Sequence, residues 1–73
     1  MKTVLVFRTS VTTSEKVRKL KPLLDSLISR YERWNFDLED TDKILRVESV
    51  SVQASDIIQS LRNTGVDCVE LED

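Results

Sequence analysis

The sequence predicts an α+β sandwich in which two helices cover one face of a four-stranded antiparallel sheet. Two observations lead there. Apolar segments with strand periodicity and with helical periodicity follow one another in the order strand, helix, strand, strand, helix, strand. Right-handed crossovers then force both helices of such a repeated half onto the same side, with the first and third strands central. A third observation limits the size: 29 of the 73 residues are apolar, enough for one small core and no second domain, so residues 1–73 form a single unit.

The first strand is Thr3–Thr9, an apolar, valine-rich run bounded by polar residues. Thr12 followed three residues later by Glu15 has capping-box spacing and predicts a helix start. Val17, Leu20, Leu24, Leu27, Ile28 and Tyr31 then give that helix one core-facing stripe, opposite Lys16, Arg18, Lys19 and Lys21. Pro22 lies inside the stripe and is expected to bend the helix or to split off its first turns.

Trp34, Phe36 and Leu38 alternate with polar residues in a second strand that is expected to end at Glu39. Residues 39–42 are turn chemistry, and residues 43–49 return as a strand with Leu45 and Val47 on one face. Ala54, Ile57, Ile58 and Leu61 are spaced as the stripe of a second helix over about 53–63, with Gly65 placed for a left-handed C-terminal cap. Residues 66–71 alternate β-branched or apolar residues with acids and supply the fourth strand. The arrangement is ferredoxin-like, βαββαβ.

Composition removes several function classes. A single cysteine excludes an internal disulfide framework. With no histidine, the commonest metal ligand and the usual general base are missing, and no nucleophile is paired with a base, so the chain is read as non-enzymatic and without a cofactor. The apolar run Val4 to Phe7 is too short for a signal peptide or a membrane span, which predicts a cytoplasmic protein with no membrane partner. Residues 1–34 carry eight Lys/Arg against three Asp/Glu, and residues 35–73 carry three against ten. That polarity suits steering toward a protein partner or a second copy. A sequence pI near 5.1 and first-strand residues that offer no stacking platform argue against nucleic acid.

Several residues carry a family resemblance. Val17, Lys19, Leu20 and Pro22 in the first helix, Trp34, Phe36 and Asp37, then Asp42, Lys43, Ile44, Leu45 and Val47, and finally Ala54, Asp56, Ile57, Ile58 and Gly65 follow one pattern. Together they resemble the heavy-metal-associated domain, from Thr3 to about Cys68. The resemblance implies the ferredoxin-like fold and a loop before the first helix where the family places two cysteines as C-x-x-C, to bind copper(I) or another soft ion for delivery to a docking partner. Aligned on Val17 and Pro22, those two positions fall on Thr13 and Lys16. Soft ions require thiolate or thioether ligands, and an ammonium repels a cation.

Other candidate sites have plainer readings. Cys68 alternates with Val66 and is expected to face the helices as a small buried hydrophobe. Asp37, Glu39, Asp40 and Asp42 have oxygen ligands for a hard cation but lack the glycine and distal glutamate of an EF-hand, which favours a solvated turn. Thr12, Thr13 and Ser14 beside Lys16 lack a glycine for close phosphate approach, which favours capping over anion binding.

Two functions follow. The first is an interaction module that keeps a docking face at Thr12, Thr13, Lys16, Arg18, Lys19 and Lys21 after loss of the metal ligands. The second is a metal-ion binding or transport protein using oxygen ligands or an intermolecular pair of Cys68 thiols. Strand parity adds a patch of Val4, Val6, Ile44 and Val69 on the uncovered sheet face, expected to be a homodimer or partner contact.

Overall fold

The structure, a computed structural model, describes residues 3–28 and 32–71. The elements are β1 (Thr3–Thr9), α1 (Ser14–Leu27), β2 (Arg33–Asp37), β3 (Ile44–Ser49), α2 (Ala54–Asn63) and β4 (Cys68–Leu71). The sheet order is β2-β3-β1-β4 with every neighbouring pair antiparallel, so β1 and β3 are central as the sequence predicts. No helix among the described residues is long and apolar enough to cross a membrane.

The alternation of the strands fixes the core. Phe7, Leu45, Val47 and Cys68 point inward and meet Leu20, Leu24 and Ile28 from the first helical segment and Ile57 and Leu61 from the second, closed off by Val11 and Val66 in the loops. Each such large side chain contributes about 1.5–3 kcal/mol by leaving water. The helix ends follow the same economy of polar groups. Asp56 Oδ2 accepts from the Gln53 backbone N–H at 3.4 Å at the start of α2. At its end Gly65 has φ 86°, the left-handed cap expected of it, and Val66 N–H returns to the Leu61 carbonyl at 3.0 Å.

Several expectations are corrected. The cap of α1 is Thr13, not Thr12, and no box with Glu15 forms; Val11 is buried in the core, which holds the chain extended one residue longer. Pro22 does not split off the first turns: α1 runs from Ser14 to Leu27 through it. Lys43 is not a strand residue. It adopts φ 52° and closes the hairpin, its carbonyl accepting from Thr9 Oγ1 at 2.7 Å and its ammonium donating to the Leu38 carbonyl at 2.9 Å. Strand β2 stops at Asp37, leaving Leu38 in the turn, and β4 begins at Cys68 rather than at residue 66. Finally, Ile44 is buried, because it lies on a central strand with Asp37 and Arg8 directly opposite on its two sides. Tyr31, expected in the helix stripe, lies outside the described residues.

One buried charge ties the two halves together. Glu32, just before β2, is 5 % exposed, and its Oε2 accepts from the backbone N–H groups of Val50 at 2.6 Å, Ser51 at 3.1 Å and Val52 at 3.4 Å, and from Ser49 Oγ at 3.2 Å. The connection from β3 to α2 is therefore wrapped around a side chain from the connection between α1 and β2. Removing the acceptor strands those donors at partial burial, each costing about 1 kcal/mol or more. Glu32→Ala is thus expected to lower the urea unfolding free energy by about 3 kcal/mol, and Glu32→Gln, which keeps one carbonyl oxygen, by less. Equal stability of Glu32→Ala and wild type contradicts this role.

Candidate functional site

The loop from β1 to α1 is where the family resemblance places metal chemistry, and here it is built as a helix cap. Thr13 is extended at φ −129° and ψ 150°, and its Oγ1 accepts from the Lys16 backbone N–H at 3.1 Å. The two positions expected to hold thiolates are therefore bonded to each other as cap and third helical residue, satisfying a donor that the helix leaves free. The ammonium of Lys16 adds a positive charge at the positive end of the helix dipole, the reverse of an arrangement that attracts a metal cation.

The expected docking face is distributed around α1 rather than gathered on one line. Helical spacing sets Arg18, Lys21 and Asp25 on one flank and Lys16, Lys19 and Leu23 on the other, with Glu15, Pro22 and Ser26 between. Thr12, Thr13, Arg18, Lys19 and Lys21 are exposed, and Lys16 is half-buried. Two of the four cations are partnered within the helix: Lys21 Nζ lies 2.8 Å from Asp25, and Lys19 Nζ lies 3.8 Å from Glu15. Both are exposed (i, i+4) pairs worth a few tenths of a kcal/mol, too weak to hold the cations from a partner.

On the uncovered sheet face the register interleaves apolar and charged residues: Val4 and Val6 stand opposite Glu48 and Arg46 of β3, and Arg8 stands opposite Val69 of β4. Val4 and Val6 on β1 adjoin Leu71 and Val69 on β4, with Val6 directly opposite Leu71. Arg33, Asn35 and Asp37 on β2 lie beside Glu48, Arg46 and Ile44 on β3. Val4 is 58 % and Val69 is 43 % exposed, so an apolar strip exists, but it runs along β1 and β4 and does not include Ile44.

At the end of the sheet, an open cleft of about 590 Å³ lies between the hairpin tip and the start of β4, with Arg8 and Arg62 facing it alongside Asp42 and Asp67. Its polar floor is already engaged. Thr9 Oγ1 accepts from Val11 N–H at 3.2 Å while donating to Lys43, and Ser10 Oγ accepts from Asp67 N–H at 3.0 Å. Cys68 lies behind this wall with no accessible surface, and burial pushes its thiol up to about 11 against a smaller opposing pull from Arg62. A thiol so placed is neither a nucleophile nor a ligand at neutral pH.

The acidic hairpin turn is likewise self-satisfied. Asp37 Oδ1 accepts from Glu39 N–H at 3.2 Å and Asp40 Oδ1 from Asp42 N–H at 2.8 Å, so both carboxylates cap their own turn. Among the described residues, no three acidic or cysteine side chains converge as metal ligands. Sequence reasoning missed Thr9, Ser49, Glu32 and the contact between Asp25 and Trp34. Thr9 and Ser49 had a readable signal, polar residues at inward positions of their strands; Glu32 had none.

The chain matches no family model, no curated protein and no solved structure.

Two titrations follow from these contacts. Asp25 accepts from Lys21 Nζ on one oxygen and from the Trp34 indole N–H at 3.0 Å on the other, and these bonds hold its carboxyl below the ordinary value of 3.8. Trp34 fluorescence is expected to titrate with a midpoint below 3.8, to lose that transition in Asp25→Asn, and to move upward in Lys21→Ala; a wild-type midpoint at or above 3.8 contradicts the contact. For Cys68 the native thiol keeps its proton up to about 11 while the unfolded chain loses it near 9, so stability is lost as pH rises through that window. The loss relative to Cys68→Val should reach about 2 kcal/mol by pH 11 in denaturant unfolding. Parallel pH curves for the two proteins contradict the buried thiol.

Proposed function

We propose that this domain is a non-enzymatic protein-interaction module of heavy-metal-associated type, acting in the cytoplasm, in which the thiolate metal site has given way to a helix cap. The observation that carries the reading is the bond from Lys16 N–H to Thr13 Oγ1, since it joins the two positions where the resemblance expects soft ligands. What then distinguishes the loop and α1 is exposed positive charge at Arg18, Lys19 and Lys21, flanked by Thr12, Thr13 and Lys16, and this charge suits an acidic protein partner. An oxygen-ligated or Cys68-bridged metal is disfavoured by the self-capped acidic turn and by the buried sulfur, which a second chain cannot reach without opening the core.

The test has two arms. In competition against a chromogenic chelator, the wild-type protein is expected to show no one-to-one submicromolar binding of copper(I), whereas Thr13→Cys/Lys16→Cys is expected to gain it. In affinity capture, a partner held by the wild type is expected to be lost on Lys16→Glu/Arg18→Glu. Tight copper(I) binding by the wild type, or capture unaffected by charge reversal, contradicts the proposal.

A further inference from the structure

The two edges of the sheet are unlike each other, and the difference points to a second copy of the chain. β4 is guarded. It is four residues long, and Glu70 stands directly opposite the inward-facing Phe7, an inward-pointing charge of the kind that keeps edge strands from pairing. Exposed Asp67 lies just before it, so another copy of this strand would meet like charge. β2 carries no such guard: Arg33–Asp37 contains neither proline nor lysine, and its charges stand on the outer sheet face.

The sequence of β2 is also complementary to itself when reversed. Arg-Trp-Asn-Phe-Asp, paired antiparallel about Asn35, sets Arg33 opposite Asp37 of the second copy and Trp34 opposite Phe36 of the second copy, twice over by symmetry. Facing is preserved as well, since Arg33, Asn35 and Asp37 share the outer face and the two aromatic rings share the helix side. Within the chain the rings already sit edge to face, 6.0 Å apart, and Trp34 is fixed by its bond to Asp25. Asp37 lies 3.7 Å from Arg46, and Arg33 has no ion pair among the described residues, so pairing would complete a line of alternating charge from Arg46 through Asp37 to the second Arg33. Other registers lose this match. Centring on Phe36 sets Arg33 against Glu39 but leaves Asn35 against Asp37, and centring on Trp34 sets Arg33 against Asn35.

We propose that β2 is a self-recognition edge through which two copies join antiparallel about Asn35 into one eight-stranded sheet. The contact is independent of the docking role of α1. A five-residue strand pair is smaller than the roughly 1,200 Å² of a stable standard interface, so the dimer is a weak, reversible one that forms as concentration rises.

Sedimentation equilibrium on the full chain tests this with a charge-swap set, each variant first checked for a native circular dichroism spectrum. Wild type is expected to self-associate with concentration, and Arg33→Asp and Asp37→Arg are each expected to weaken association at least about tenfold by setting like charges opposite. An equimolar mixture of the two variants restores both pairs and is expected to return association to within a few-fold of wild type. Val6→Lys on the outer sheet face is expected to leave it unchanged. Wild type that stays monomeric at about 1 mM, a mixture that fails to restore association, or loss of association in Val6→Lys instead overturns the proposal.

Discussion

A carboxylate withdrawn from water must find donors, and the way Glu32 finds them organises this domain. Its Oε2 draws the amides of Val50, Ser51 and Val52 and the hydroxyl of Ser49 inward, where a side chain of the first half of the βαββαβ repeat is wrapped by backbone of the second. Residues 50–53 lie between β3 and α2, and among the described residues Glu32 is the acceptor for the Val50, Ser51 and Val52 amides. The turn is completed by Ser49 Oγ, whose one proton is shared between Glu32 Oε2 and the Val52 carbonyl. Burial of Phe7, Leu45, Ile57 and the rest drives collapse, but it is non-directional; this polar closure fixes how the second half is laid upon the first.

The same use of polar side chains recurs wherever chemistry was to be expected. Thr13 caps α1, Asp37 and Asp40 cap their own turn, Thr9 joins the loop after β1 to the hairpin, and Ser10 joins it to the residue before β4. Each group bonds to backbone a short way off in space. A side chain engaged in this way spends its hydrogen-bonding capacity on the backbone. The exposed cations of α1, the apolar strip of β1 and β4 and the open edge of β2 are the surfaces that remain.

The fold was legible because it rests on periodicity. Two-residue alternation in β1 and β3 and the stripe through Ile57 and Leu61 predicted the core, and Gly65 marked the end of α2 by the one backbone conformation it alone adopts without strain. What escaped depended on long-range partners. Lys43 is not a residue type that favours a left-handed turn, and its carbonyl is held by Thr9, thirty-four residues earlier. Ile44 has outward parity, yet it is buried because parity fixes a face and not what its neighbours cover. Glu32 sits beside a strand, and its donors lie 17 to 20 residues further on. That Thr13 and Lys16 bond to each other as cap and third helical residue depended on the one-residue displacement of the helix start from Thr12 to Thr13.

The central claim, that polar side chains here serve the backbone, is tested most directly by hydrogen exchange at the Val50 and Ser51 amides under native conditions. Val50 is 53 % exposed and lies outside both β3 and α2, and among the described residues the acceptor of its amide is Glu32. The account predicts protection at Val50 and Ser51 comparable to that of the β3 ladder beside them. Exchange at the rate of an exposed loop amide would contradict it.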